Sequence, residues 1–129
     1  MSVAREPGAD IDPLVFNPVR LKETFGALDA EALCFLAAFV ADSRAMAKAV
    51  TEAMASGDWK QARHHAHDLK GAALSLGAVR LGELAREIQD YLHQDDPETA
   101  HLFTGGLETT VEALAQAVPL LTVGAKVGL

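Results

Sequence analysis

A long helical spacing of apolar residues over positions 59 to 76 limits the possible folds more than any other feature of this chain. The apolar positions recur every three or four residues, so one face of an α-helix stays apolar for about five turns. They are Trp59, Ala62, Ala66, Leu69, Ala73 and Leu76. An apolar face of this length has to be buried against other elements. The rest of the chain must therefore supply further amphipathic segments.

Those segments are also predicted to be helices. Half of the 129 residues are hydrophobic and only 5% are aromatic, while alanine, leucine and glutamate are good helix formers. A side chain able to cap a helix N-terminus stands at four suitable places: Asn17-Pro18, Asp29, Asp58 and Asp96-Pro97. We expect an all-α fold, an antiparallel four-helix bundle over residues 13–121 with a short extra N-terminal helix. Residues 1–12 are expected to form a loose arm and residues 122–129 a frayed tail.

Several details of these helices follow from local patterns. Asp58 and Gln61 have the spacing of a capping box. Asp42-Ser43 either interrupts a helix or caps a new one, and the sequence leaves open whether this segment is one kinked helix or two helices. Gly105-Gly106 is expected to kink or break the last helix, and Pro119 to limit it. The same spacing rule predicts inward-facing residues on the flanking helices, including Leu33, Leu36, Ala37, Val40, Leu84, Ile88, Leu92, Leu102, Leu107, Val111, Leu114 and Val118.

Charge and composition exclude several classes of function. The formal net charge of −7 argues against nucleic-acid binding, which usually needs a basic patch. The single cysteine, Cys34, has no intrachain partner for a disulfide. The longest apolar run, residues 32–41, is about half the length of a membrane-spanning helix, and no signal peptide is visible. We therefore expect a cytoplasmic protein without a membrane partner.

Three of the five histidines lie on the central helix, and His67 has the most informative neighbours. His67 is about 100° round the helix from Ala66, so its ring should lie at the edge of the core, facing solvent. Lys70 and Gly71 are one turn away on the same surface. A glycine inside a helix costs about 0.5–1 kcal/mol relative to alanine. Gly71 could allow another molecule to approach closely or could serve a tight helix–helix contact, and the sequence favours neither.

The side chains around His67 suit the transfer of a phosphoryl group. A neutral imidazole nitrogen is nucleophilic near pH 7, and imidazole leaves readily when another acceptor attacks. Lys70 could supply positive charge to the phosphoryl oxygens. No glycine-rich phosphate loop or nucleotide motif is found in the sequence. A phosphohistidine would therefore be formed from one protein and passed to another.

The run Ala66-His67-Asp68-Leu69-Lys70-Gly71-Ala72-Ala73, followed by Gly77-Ala78 and Leu81, resembles the histidine-containing phosphotransfer (HPt) domains of two-component phosphorelays. The resemblance implies that His67 is phosphorylated on its outer ring nitrogen, with Lys70 beside the phosphoryl group. It also implies that Gly71 leaves room for a docking receiver domain. Gln89 stands where the family has a glutamine or glutamate that holds the inner ring nitrogen. Because Gln89 adjoins Ile88 as His67 adjoins Ala66, the two side chains can meet across a helix pair.

The resemblance also implies partners and a type of activity. The partners would be receiver domains of response regulators and hybrid histidine kinases, docking over Gly71, His64 and Leu74. The chain would be a phosphocarrier without autonomous kinase activity and without a cofactor of its own, since Mg²⁺ would be held by the receiver. A monomer is expected. The cognate kinase and regulator, and the direction of phosphoryl flow, are not indicated by the sequence.

Three other interpretations are possible. A metal site could use His64 and His67, with His93 or Glu87 as further ligands, although the repeated carboxylate motifs of di-iron bundles are not found. A sensor-kinase dimerisation helix pair also carries a histidine, and Asp68 fits the acidic residue that usually follows it there. A third possibility is an adaptor that binds receivers without accepting phosphate. Phosphorylation at the neighbouring His64 or His65 has to be tested, but neither has lysine and glycine at the offsets of His67.

Overall fold

The computed structural model describes the backbone of residues 12–127 and the side chains of residues 12–121. Six α-helices lie in this part of the chain: α1 (Pro18–Phe25), α2 (Ala30–Ala55), α3 (Trp59–Ser75), α4 (Val79–His93), α5 (Pro97–His101) and α6 (Thr104–Val127). The predicted arm over residues 1–12 lies outside the described residues apart from Asp12. Of the predicted tail over residues 122–129, only the backbone of 122–127 is described. Both stay predictions.

The four long helices form the predicted antiparallel bundle. Helix α2 packs against α3 and α6, and α4 packs against the same two helices. Connections of three residues join α2 to α3 and α3 to α4, so successive helices reverse direction. Gly57 and Gly77 have φ angles of 75° and 74° within these connections, a backbone conformation that glycine adopts without steric cost.

The apolar face of α3 lies at the centre of the bundle. Ala62, Ala66, Leu69 and Ala73 are completely buried there, as their spacing predicts. Trp59 is different, because 44% of its surface is exposed. It is the first residue of α3, at one end of the bundle, where the neighbouring helices do not cover it. The prediction that Trp59 is a core residue was wrong.

All four predicted caps are present, since the side chains of Asn17, Asp29, Asp58 and Asp96 each accept a backbone N–H from the first turn of a helix. The capping box at α3 is only half formed. Asp58 accepts from the backbone N–H of Gln61 at 3.2 Å. The backbone N–H of Asp58 donates instead to the carbonyl of Ala53, 2.9 Å away. The carbonyl of Ala53, in the last turn of α2, therefore accepts the backbone N–H that the side chain of Gln61 was expected to bind.

Helix α2 runs without interruption past Asp42-Ser43, which resolves the alternative that the sequence left open. Ser43 is completely buried. Leu36 and Val40 are buried as predicted, whereas Ala37 is exposed. Phe39 takes its place in the core because it lies three residues after Leu36, on the same face of the helix.

The predicted last helix is two helices, and the break between them lies at Leu102-Phe103 rather than at Gly105-Gly106. Leu102 is 77% exposed, so its predicted place in the core was wrong. Phe103 turns inward instead and stacks on Tyr91 with ring centroids 5.7 Å apart. Pro119 lies inside α6 and does not limit it. A proline there removes one backbone hydrogen bond, but the helix continues on both sides.

Helix α1 closes the end of the bundle where α3 turns into α4. The backbone N–H of Asn17 donates to the carbonyl of Gly77 at 2.8 Å, and Arg20 Nε donates to the carbonyl of Ser75 at 3.2 Å. Phe16 and Leu21 are almost completely buried. This small helix therefore belongs to the bundle and covers carbonyl groups that the end of α3 leaves without helical partners.

None of the helices between residues 12 and 127 is by itself long and apolar enough to cross a membrane. Only α1 and α2 taken together reach the required length and composition, and a bend of 119° separates them.

Candidate functional site

Helix α3 presents His67, Lys70 and Gly71 on its outer side. Ala66 and Leu69 are completely buried between the neighbouring helices, and the residues one step further round the helix lie at the edge of this core. His67 and Gly71 are exposed, and Lys70 is half-buried. The helical spacing alone thus accounts for a histidine that is anchored by its neighbours but accessible to another molecule.

The structure brings Gln89 of α4 against the ring of His67. Gln89 Nε2 lies 2.9 Å from His67 Nδ1, and Ile88 beside it is completely buried. The inner ring nitrogen is therefore engaged within the chain, while the outer nitrogen, Nε2, is left for another group. Gln89 Oε1 is buried and has no hydrogen-bond partner among the described residues.

Both ring tautomers of His67 are compatible with a glutamine at this position. An amide carries a donor and an acceptor, which a 180° rotation exchanges. With Nε2 of Gln89 donating, His67 Nδ1 is unprotonated. With Oε1 accepting, Nδ1 carries the proton, and the lone pair of the outer nitrogen is free for nucleophilic attack. The rotation would also give the buried Oε1 a partner.

The described residues do not require glycine at position 71 for packing. Beyond the backbone of its own helix, a Cβ atom built on Gly71 would meet no described atom within 4 Å, whereas one built on Gly82 would lie 2.5 Å from Leu74 Cδ2. Gly82 therefore allows close helix packing, and Leu74 lies over it with 42% of its surface exposed. Among the described residues, Gly71 makes no tight helix–helix contact, which was one of the two explanations that the sequence left open.

His64 and Asp68, which lie on either side of His67 in the sequence, contact each other. His64 Nε2 lies 3.4 Å from Asp68 Oδ2, one turn along α3, with both side chains largely exposed. The carboxylate beside His67 is thus turned to a different histidine. His65 is half-buried, and its ring centroid lies 5.7 Å from that of His64.

A cavity of about 440 Å³ opens beside His67 between α3 and α4, lined by Lys60, Gln61, Arg63, His64, His67 and Gln89. No carboxylate is among these lining residues. Lys60 and Arg63 were not selected as site residues from the sequence. Their positions, seven and four residues before His67, place them on the same side of α3, and this spacing was the signal that could have found them.

A second, apolar groove of about 310 Å³ lies between α2 and α3. Phe35, which is 56% exposed, and Met46 line it from α2, and Ala72 lines it from α3 directly after Gly71. The groove therefore continues the open surface next to Gly71.

The described residues do not form a metal site. Among them, no three histidine, cysteine, aspartate or glutamate side chains are grouped so that they could hold a metal ion. The set proposed for a metal-binding bundle, His64 and His67 with His93 or Glu87, is therefore not assembled.

A helical bundle that holds an exposed histidine by its inner ring nitrogen, next to a lysine and an uncovered glycine, has the features of a phosphocarrier. The family model of the Hpt domain matches residues 34–117, more than half of the chain. The chain belongs to the Hpt domain family and has a histidine phosphotransfer role in a phosphorelay. Hpt domains interact with receiver domains in such relays. No curated protein and no solved structure gives a significant match.

Proposed function

We propose that His67 accepts a phosphoryl group from the aspartate of one receiver domain and passes it to the aspartate of another. The observation that carries this proposal is the 2.9 Å contact between Gln89 and His67 Nδ1, which fixes the ring while the residue stays exposed. Histidines elsewhere on α3 have a different setting, because His64 faces Asp68 and His65 is half-buried.

The transfer can be written with this ring orientation. With Gln89 Oε1 accepting the Nδ1 proton, the lone pair on Nε2 attacks the phosphorus of the aspartyl phosphate. The Nε2–P bond forms as the P–O bond to the aspartate breaks, and the aspartate leaves as a carboxylate. Nδ1 keeps its proton, so the phosphorylated ring is an imidazolium, which is a good leaving group for the reverse step.

In this proposal the rate of phosphoryl transfer depends mainly on the positioning of His67 and on positive charge near the phosphoryl group, since little covalent chemistry is required of the protein. Lys70 is half-buried one turn from His67, so its ammonium group can donate to the phosphoryl oxygens. The chain needs no cofactor of its own, and Mg²⁺ is expected in the receiver domain. We therefore expect a phosphocarrier that depends on partner domains and has no kinase activity alone.

Receiver docking is supported by the empty space at Gly71. Helical side chains lean toward the N-terminus, so a side chain at position 71 would cover the surface next to His67. The glycine leaves this surface uncovered, because no described residue outside its own helix backbone comes within 4 Å of the position that a Cβ would take. His64 and Leu74 border the same surface and are exposed, and the apolar groove between α2 and α3 extends it.

The experiment that tests this function is phosphotransfer from a phosphorylated receiver or hybrid kinase, followed by mapping of the labelled residue. We expect His67→Gln to abolish labelling. His64→Gln and His65→Gln are the matched controls on the same helix, and both should retain it. Label on the His67→Gln protein would move the site to another histidine. If receivers bind but no donor transfers a phosphoryl group, the result would favour an adaptor that binds receivers without accepting phosphate.

A further inference from the structure

The cavity beside His67 is cationic. Lys60 and Arg63 line it from α3 together with His64, and no carboxylate belongs to its lining. Among the described residues, neither Lys60 nor Arg63 forms an ion pair, whereas Arg44 and Lys48 on α2 each lie within 4.0 Å of a glutamate. The part of the chain that the structure describes therefore holds two cations around this cavity without an ion-pair partner within 4.0 Å.

The ring of His67 forms part of the wall of this cavity. A side chain on a helix leans toward the N-terminus and covers the preceding turn. The preceding turn of α3 carries Arg63 and His64, which line the same cavity as His67, so a group on the outer ring nitrogen is expected to lie near this turn. Lys70 lies on the other side of His67, one turn toward the C-terminus. A phosphoryl group on the outer ring nitrogen would thus lie between two cations on one helix.

We propose that Arg63, supported by Lys60, forms an anion subsite that binds the phosphoryl oxygens of phosphohistidine at position 67. This inference rests on the proposed phosphoacceptor role of His67. A guanidinium presents several donors in a fixed plane and binds phosphate oxygens in pairs. The subsite stabilises the phosphorylated form of this chain, a role separate from docking the receiver.

A readout of this contact is the loss of the Nδ1 proton from the phosphorylated ring, which is an imidazolium. A positive charge held at the phosphoryl oxygens disfavours the cationic ring and lowers the pH midpoint of that ionisation. The ³¹P chemical shift of phosphohistidine follows this ionisation directly. The measurement needs no partner protein, because phosphoramidate phosphorylates imidazole: its P–N bond breaks, ammonia leaves and the Nε2–P bond forms.

The test compares the ³¹P titration of the phosphorylated protein with that of three variants. Arg63→Gln should raise the midpoint by about 0.5 pH unit, and Arg63→Lys should restore most of the difference. Arg44→Gln removes the same charge on the α2–α6 side of the bundle, where Arg44 pairs with Glu112 at 2.7 Å, and should leave the midpoint unchanged. His64, which lines the same cavity, is unchanged in all of these variants.

The possible failures are distinguishable. An unchanged midpoint in a folded Arg63→Gln protein that still carries phosphohistidine would overturn the subsite and leave the phosphoacceptor role intact. Phosphoramidate can also react with the exposed His64, His93 and His101, so the signal of position 67 is the one that is absent from His67→Gln. Label transferred from a phosphorylated receiver to His67→Gln would overturn the proposed function itself. A weaker interaction of Arg63→Gln with a receiver, with no change in midpoint, would assign Arg63 to docking and would also overturn the subsite.

Discussion

Gly71 and Gly82 lie inside helices, yet their surroundings differ. A methyl group at Gly71 would meet no neighbouring element among the described residues, while one at Gly82 would press on Leu74. Glycine costs about 0.5–1 kcal/mol relative to alanine within a helix. At the scale of the residue, packing explains the cost at Gly82, and we propose that access to His67 explains the cost at Gly71.

The two glycines should respond in opposite ways to alanine. We expect Gly71→Ala to raise the free energy of unfolding by about 0.5–1 kcal/mol and to slow phosphotransfer, because the new methyl group narrows the docking surface. Gly82→Ala is the matched control and should bring no gain in stability, because Leu74 has to move. Denaturant unfolding measures the first effect and transfer kinetics the second. Unaltered transfer in Gly71→Ala would argue against docking at this position.

Helix α2 contains a polar group without a partner. Ser43 is completely buried, and its Oγ makes no hydrogen bond to any described residue. A buried hydroxyl without a partner is destabilising. We predict that Ser43→Ala raises the free energy of unfolding by about 1 kcal/mol, as measured by denaturant titration. Ser56→Ala at the end of the same helix loses a bond to the carbonyl of Ala53 and should show no gain.

Helix α5 has a cap whose contribution depends on pH. The hydroxyl of Thr99, and then its backbone N–H, donate to Asp96 and lower the pKa of that carboxyl below its ordinary value of 3.8. Because the pKa is lowered on folding, the cap stabilises the protein above pH 3.8, and this contribution is lost as the pH falls through the lowered value.

Removing the Thr99 hydroxyl should reduce that pH dependence. Thr99→Ala is expected to lower the stability by a constant amount above about pH 5, with the difference from the unaltered protein shrinking in more acidic solution. Chemical unfolding at a series of pH values measures this. Thr109→Ala, on the exposed face of α6, should give a difference that does not vary with pH. The same acid profile in both variants would show that Thr99 does not act through Asp96.

As a whole molecule, the bundle is completed by a single chain. Residues of α2, α3, α4 and α6 bury one another in one core, which a kinase-type helix pair achieves only with a second copy. We therefore predict a monomer in sedimentation equilibrium, with a radius of gyration of about 14 Å in solution scattering. A stable dimer would instead support the sensor-kinase interpretation.

The features that the sequence predicted correctly are local ones. The four caps depend on residues within one turn, and the placement of His67, Lys70 and Gly71 follows from the periodicity of one helix. The meeting of Gln89 with His67 needed only the register of two neighbouring helices. These features could be predicted from the sequence because the geometry of an α-helix repeats regularly along the chain.

The errors concern what covers a residue, which depends on distant parts of the chain. Trp59 has core spacing but lies at the end of the bundle. Leu102 was predicted in the core but is exposed, because the chain turns at this point and Phe103 packs on Tyr91 instead. The spacing on α3 could have placed Arg63 beside His67, but the cavity itself also needs Gln89 of α4 and does not follow from one helix.

The closure of the bundle by α1 has a consequence for anyone who divides this protein into fragments. The family match begins at residue 34, inside α2. A fragment trimmed to that match would lack Phe16 and Leu21, the cap at Asp29 and the donor of Arg20 to the end of α3. It would carry His67, Lys70, Gly71 and Gln89 while exposing core residues that α1 covers, so we expect this fragment to be less stable than a chain that includes α1.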